Sequence, residues 1–217
     1  QSETDPLTGL ANRRHFQAAI KSLSSGEGLA ASLFLIDIDH FKRINDSYGH
    51  AAGDSVLIDI AARLRQAVRD DDLIVRWGGE EFLIVARARE GQFAPQLAQR
   101  LLDLIGSEPV RQDGRPITVT ASIGFVSLPV PPHGLRLSWE RAIDLVDTVM
   151  YLAKAHGRNK AYGVERIDAE DALAAAQLTA RLEAAWSEGR VGLQVLVGPG
   201  SPRPAEAADA SLRGAGA

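Results

Sequence analysis

The 217-residue chain contains no cysteine. That excludes disulfide staples, thiolate metal ligands and a cysteine nucleophile, and it is compatible with a reducing compartment. No apolar run approaches membrane-spanning length, and no signal-peptide pattern opens the chain. It begins at Gln1 rather than Met and reads as a fragment of a longer protein, whose remaining parts could carry a sensor or a membrane anchor. Charge of either sign is not in large excess, with a formal net charge of -4. So mild a balance argues against a bulk electrostatic grip on a nucleic-acid backbone, though it leaves room for a local basic pocket. The five histidines (15, 40, 50, 133 and 156) show no metal-ligand spacing and read as structural or surface residues.

What is present is an ordinary apolar fraction of 45%, enough for a buried core, in a length that suggests one domain plus something extra. "DPLTGLANRRHFQAAIKSL" opens on turn chemistry at Asp5-Pro6. It runs into a helix with Phe16, Ala19, Ile20 and Leu23 at helical spacing. "GEG" at 26–28 is a break. "ASLFLIDID" (31–39) is a strand whose C-terminal end turns acidic. "DSVLIDIAARLRQAV" is an amphipathic helix with Asp54 at its N-cap. "DLIVRW" and "EEFLIVAR" form a hairpin around a Gly-Gly pair, expected to supply positive φ. A second hairpin turns at Asp113-Gly114, and "SWERAIDLVDTVMYLAKAHG" is a helix with Ser138 as N-cap and Gly157 just past its end. Strands alternating with helices, together with two hairpins, predict an α+β fold: a mixed central sheet flanked by helices.

The expected domain spans residues 1–163. Residues 164–217 differ in character: a helix over "DAEDALAAAQLTARLEAAWSEGR", one further strand in "VGLQVLVGPG", and a tail, "SPRPAEAADASLRGAGA", of disordered composition.

Several polar groups carry potential chemistry. Asp37 and Asp39 share one face of a strand, and Glu80 and Glu81 sit at a hairpin tip. Carboxylates beside apolar strand ends are costly unless a positive partner joins them. Mg²⁺ suits such a set, taking one or two carboxylates and substrate phosphates. Spacing alone favours the plainer reading of solvated acids paired with Arg76 or Lys42. Lys154 and Arg158, four apart near a helix C-terminus, could clamp a phosphate. Cations are favoured there by the helix dipole in any case. Asn45 and Asp54 have the donors and acceptors to read a guanine edge, or they are a turn residue and an N-cap.

Taken together, "DPLTGLANRR", "FLIDIDHFKRINDSYGHAAGD", "RWGGEEF", "VTASIGF" and "MYLAKAHGRNKAY" resemble the successive signatures of a GGDEF domain, the catalytic module of diguanylate cyclases, over roughly residues 4–163. The resemblance implies a fold akin to polymerase palm domains and class III nucleotide cyclases. It implies condensation of two GTP into cyclic di-GMP, with two pyrophosphates released, between two domains of a homodimer. Asp37, Glu80 and the carbonyl of Ile38 would hold Mg²⁺, with Mn²⁺ as a substitute. Glu81 would be essential as metal ligand or base. Asn45 and Asp54 would read guanine, and Lys42, Lys154 and Arg158 would grip the triphosphate. Gly79 and its neighbour Gly78 would let GTP approach the backbone, and Asp39 would be support.

In the same family the Arg69–Asp72 spacing looks like an inhibitory site for cyclic di-GMP, with Arg100 as a second contact. The plain alternative is a helix-end Arg–Asp pair. The alternative function is an idle domain that serves as a cyclic di-GMP receptor. The implied setting is the bacterial cytoplasm, with no nucleic-acid partner. "LTARLEAAWSEGRVGLQVLVGPG" faintly resembles the opening of an EAL phosphodiesterase domain, without its Glu-Ala-Leu signature.

Overall fold

The computed structural model describes residues 2–25, 28–88, 91 and 93–201. The expected break at Gly26–Glu27 and the tail from Pro202 lie outside them. Helix α1 (Arg13–Leu23) begins at Asn12, whose side chain accepts the His15 amide at 3.0 Å, and it buries Phe16 and Ile20. Two short strands, β1 (Ser24–Ser25) and β2 (Gly28–Leu29), lead to β3 (Ala31–Ile38). Helices α2 (Phe41–Tyr48) and α3 (His50–Ala67) follow, then the hairpin of β4 (Leu73–Arg76) and β5 (Glu81–Arg87). Helix α4 (Ala94–Gly106) precedes a small hairpin of β6 (Val110–Gln112) and β7 (Arg115–Ile117), which turns at Asp113 and Gly114, both at positive φ. Then come β8 (Ala121–Ser127), α5 (Trp139–Ala155) and β9 (Lys160–Ile167). Last are α6 (Ala172–Thr179), α7 (Leu182–Ser187) and β10 (Val191–Val197).

Among the described residues the central sheet has six strands in the order β10-β9-β8-β3-β5-β4. Only β8 and β9 run parallel; the other neighbours are antiparallel. This is the mixed, helix-flanked α+β sheet expected. Its central strand β3 is buried along nearly its whole length, so it reads as a continuous apolar run. Alternation divides its side chains. Leu33 and Leu35 join Phe16, Leu83, Val146 and Val149 in one core, under α1 and α5. Phe34 and Ile36 join Phe82, Ile84, Leu57 and Ile60 in the other, under α3 and α4. Each such large side chain stabilises the fold by about 1.5–3 kcal/mol relative to exposure.

Three local expectations are corrected. The small β6–β7 hairpin stands apart from the central sheet, so the long second hairpin is broken before β8. The helix expected over 168–190 is two helices, α6 and α7, with a bend at Ala180–Arg181. Buried Ala175, Leu178, Leu182 and Ala185 keep helical spacing straight through that bend, which hides it from periodicity. Asp54 is not an N-cap: α3 starts at His50 after Gly49, which has φ 90°.

The proposed boundary at residue 163 falls within β9, and β10 pairs with β9 along the sheet edge. Ala175, Leu178, Leu182 and Val191 belong to the core under α5. Among the described residues no helix is long and apolar enough to cross a membrane.

Candidate active site

The acidic end of β3 is fixed by its two neighbours. In the ladder Asp37 stands opposite Glu81 of β5 and Ser122 of β8, all three on the face covered by α5. The turn from Trp77 to Glu80 folds back on β5: the Trp77 and Gly78 amides donate to the Glu81 carbonyl at 2.8 and 3.2 Å. The Ile38 amide donates to the Glu80 carbonyl at 3.1 Å, tying the turn to the strand that carries Asp37. Arg76 reaches the Gly79 carbonyl at 2.7 Å and Asp5 at 3.2 Å. The Arg13 guanidinium lies 4.1 Å from the centre of the Trp77 ring and donates to the Trp77 carbonyl at 2.6 Å. Backbone and cations thus pin the turn from both sides.

The two glycines are needed for a reason other than the one their pairing suggests. Neither Gly78 nor Gly79 has a positive φ. A Cβ on Gly78 would lie 2.4 Å from Glu81 Oε2, so Gly78 makes room for that carboxylate. Among the described residues a Cβ on Gly79 would meet nothing within 4 Å, so its bareness leaves open space at the turn's outer surface.

Asp37 is buried and faces Lys154 Nζ at 2.9 Å. Burial outweighs the help from Lys154, and Glu80 and Glu81 add repulsion, so its pKa is pushed up to about 6. Burial also raises the Glu81 pKa, with Asp147 and Glu80 adding to the rise and Lys154 and Arg13 opposing it. The plainer reading of the acids does not hold in its stated form, because Arg76 pairs with Asp5, and Lys42 with Asp46 at 2.8 Å. Asp39 is fully engaged by protein groups: Thr120 Oγ1 at 2.7 Å, Ser122 Oγ at 2.6 Å and the Asn159 amide at 2.9 Å. These bonds link β3, β8 and the α5–β9 turn.

Among the described residues no three His, Asp or Glu side chains are close enough to cage an ion by themselves. The donors that are present still fit Mg²⁺, a hard cation that takes one or two carboxylates and fills its octahedron with water and phosphate oxygens. Asp37 faces one ammonium while Glu80 and Glu81 repel it, so its upward shift comes first from burial and then from that repulsion.

Lys154 is carried to this site because α5 lies directly on β8. A Cβ on Gly124 would come within 2.2 Å of the Val146 carbonyl oxygen and 2.5 Å of the Met150 nitrogen. Arg158 is not on the same helical face. Helix α5 ends at Ala155, Gly157 has φ 107°, and Arg158 sits beyond it at φ 62°, its amide donating to the Ala153 carbonyl at 3.0 Å. Arg158 is placed by a turn that a helical wheel does not describe. Asn45, on α2, packs on α3 where a Cβ on Gly53 would lie 1.8 Å from its Oδ1. Asp54 follows directly on α3 and is exposed, as is Lys42 on α2.

Away from these acids, Asp72 caps a turn: it accepts the amides of Arg69 at 3.1 Å and Arg87 at 3.2 Å. Among the described residues no ion pair joins the Arg69 and Asp72 side chains, so the plain Arg–Asp pair does not form. Arg69 and Arg100 together line a surface cavity of about 320 Å³ with Phe93 and Gln96, and Asp72 is not part of its wall. Arg100 also donates to the Gln66 carbonyl at 2.7 Å.

Sequence reasoning passed over two groups that act on Glu81, namely Asp147 and Arg13. Asp147 precedes Lys154 by seven residues, two helical turns, which places both on one face of α5 and was the available signal.

The fold and these groups define a mixed-sheet α+β domain with an acid-rich hairpin set beside a basic helix end. The family description "Diguanylate cyclase, GGDEF domain" matches residues 2–160, and the chain belongs to that family. It is 38% identical over 160 residues to diguanylate cyclase DgcP of Pseudomonas aeruginosa, covering 72% of this chain and 23% of that protein. It is 40% identical over 162 residues to the cyclic di-GMP phosphodiesterase NbdA of the same species, covering 72% and 20%. The chain thus spans about a fifth to a quarter of those relatives. Among solved structures, the GGDEF domain of DgcB from Caulobacter crescentus in complex with c-di-GMP aligns with a TM-score of 0.61 at 28% identity. That alignment covers 75% of this chain and 96% of the other.

Proposed function

We propose that this chain condenses two GTP molecules into cyclic di-GMP, each copy of a homodimer holding one nucleotide. The observation that carries the reading is the cross-strand juxtaposition of Asp37 and Glu81 next to Glu80, with Lys154 on Asp37. Such a site is costly for an isolated fold and suited to a cation carrying a triphosphate.

In this reading Asp37, Glu80 and the Ile38 carbonyl hold Mg²⁺, or Mn²⁺ in its place. When bound, the cation polarises the α-phosphate, lowers the pKa of the attacking hydroxyl and offsets the charge of the leaving pyrophosphate. Lys154, which pairs with Asp37 in the absence of nucleotide, would with Arg158 and Lys42 grip the triphosphate. Asn45 and Asp54 accept and donate at the guanine edge. A carboxylate facing the N1–H and 2-amino group rejects adenine, which has neither donor there. Gly79 leaves the nucleotide room at the turn. Glu81, opposite Asp37, serves the cation or takes the proton of the 3′-hydroxyl. Each 3′-oxygen forms one bond to the α-phosphorus of the other GTP, and each α-phosphorus loses one pyrophosphate. Two P–O bonds form, two break, and two protons leave.

Product inhibition through Arg69, Asp72 and Arg100 is the regulatory part of the proposal. Arginine bonds the O6/N7 edge of guanine and stacks on its plane, and the cavity shared by Arg69, Arg100 and exposed Phe93 favours such a ligand. The same cavity favours the second reading, an idle receptor for cyclic di-GMP. Incubation with GTP and Mg²⁺, followed by mass analysis of the products and repeated with ATP, separates the two. Cyclic di-GMP from GTP alone supports the cyclase. Binding of cyclic di-GMP without its synthesis supports the receptor.

A further inference from the structure

The match to the family ends at residue 160, within β9, yet the chain continues onto the same sheet. What that continuation touches is the turn between α5 and β9. Two consecutive non-glycine residues there, Arg158 and Asn159, have positive φ values of 62° and 47°. This is a conformation that side chains disfavour and that surrounding contacts must impose. One contact comes from the catalytic side: the Asn159 amide donates to Asp39. The others come from the appended residues. Asn159 Nδ2 donates to the Pro199 carbonyl at 2.9 Å and to Ser201 Oγ at 3.0 Å, and the Gly198 amide donates to the Asn159 carbonyl at 2.9 Å.

A Cβ on Gly198 would lie 1.9 Å from Asn159 Oδ1, so only glycine permits this approach. Among the described residues that oxygen is buried without a hydrogen-bond partner, a cost borne while the amide nitrogen makes its two bonds. At the other end of the turn, His156 Nε2 lies 2.6 Å from Glu183 Oε1 of α7, and Nδ1 lies 2.9 Å from the Tyr162 hydroxyl. The continuation is itself anchored: Gln99 of α4 donates to the Val197 carbonyl at 3.0 Å.

We propose that α7 and the Gly198–Ser201 segment form a clamp that holds the α5–β9 turn in shape and so positions Arg158 for the nucleotide triphosphate. Glu183, Gly198 and Asn159 are positioning residues in this scheme; none need touch the nucleotide. The clamp's consequence for nucleotide binding rests on Arg158 gripping phosphate, as in the proposed function. The clamp itself does not.

The test uses the full chain carrying Gly198→Ala, and separately the surface substitution Glu183→Gln, which leaves the core untouched. Hydrogen exchange at the Arg158 and Asn159 amides, measured without nucleotide, reads the clamp. Binding of a non-hydrolysable GTP analogue with Mg²⁺ reads its consequence. Exchange should quicken about tenfold in Gly198→Ala, as expected for losing roughly one net hydrogen bond, and by less in Glu183→Gln. Thermal midpoints should stay near wild type and analogue affinity should fall severalfold. Unchanged exchange in both variants overturns the clamp. Faster exchange with undiminished analogue binding overturns its role in positioning. Should the wild-type chain bind no analogue, the cyclase reading is what fails, and the exchange data still decide the clamp.

Discussion

Replacing Asp37 by Asn should remove a pH-dependent destabilisation that the wild-type chain carries in the absence of nucleotide. The folded-state pKa of Asp37 is raised from 3.8 to about 6. For a carboxyl raised in this way the folded state holds the extra proton between those two values. Stability is therefore fully present below about pH 4 and is lost as pH rises towards 6. At about 1.4 kcal/mol per pH unit, the span amounts to roughly 3 kcal/mol by pH 7.5. Asn cannot ionise, so the variant lacks this loss. It also forfeits the charge-assisted bond from Lys154, so the pH dependence is the sounder readout than the offset. Urea unfolding followed by the fluorescence of the three tryptophans at pH 4, 5, 6 and 7.5 gives both stability curves. The wild-type value should fall relative to Asp37→Asn by about 2.5 kcal/mol between pH 4 and pH 7.5. A difference that stays flat, or that grows in the opposite sense, refutes the electrostatic account of the site.

Other outcomes follow from the same geometry. Gly78→Ala should displace the Glu81 carboxylate and lower cyclic di-GMP synthesis at least tenfold, while Gly79→Ala leaves the melting temperature within a degree or two. A Gly78→Ala enzyme with wild-type turnover would show that Glu81 tolerates the shift. Glu81→Ala should cut product formation by a factor of about 10² to 10⁴, the usual reach of a lost proton acceptor. Arg69→Ala should raise the product concentration at which synthesis stalls, read from progress curves with added cyclic di-GMP. An unchanged stalling point removes Arg69 from the inhibitory site. In the proposed reaction two copies meet, so specific activity should rise steeply with protein concentration and on fusion to a dimeric coiled coil. Specific activity constant over a wide dilution range contradicts a dimeric site.

The sequence made the sheet and its helices legible because each signal was local. Apolar runs marked β3, β5 and β8, Ser138 marked the start of α5, and Asp113-Gly114 marked a turn that the structure places there. Strand alternation put Asp37 and Asp39 on one face, whereas the pairing of Asp37 with Glu81 across the sheet came only from the register of β3 and β5. What stayed hidden depends on contacts between distant segments. The use of Gly78 is set by a carboxylate three residues away in a folded turn, and that of Gly124 by the backbone of α5. The start of α3 lies four residues before Asp54 because Gly49 turns the chain between two packed helices, which no capping residue announces. The position of Arg158 is set by consecutive positive φ values and by residues some forty positions further on, a long-range dependence that no spacing rule detects.

The most direct measurement is the paramagnetic resonance of Mn²⁺ titrated into the protein with a non-hydrolysable GTP analogue, comparing wild type with Asp37→Asn. The account predicts that the wild-type chain and nucleotide together immobilise Mn²⁺ and broaden its signal, and that the variant does so at least tenfold more weakly. Equal immobilisation by the two proteins would mean that the acids of β3 and the β4–β5 turn are not where the metal–nucleotide is held.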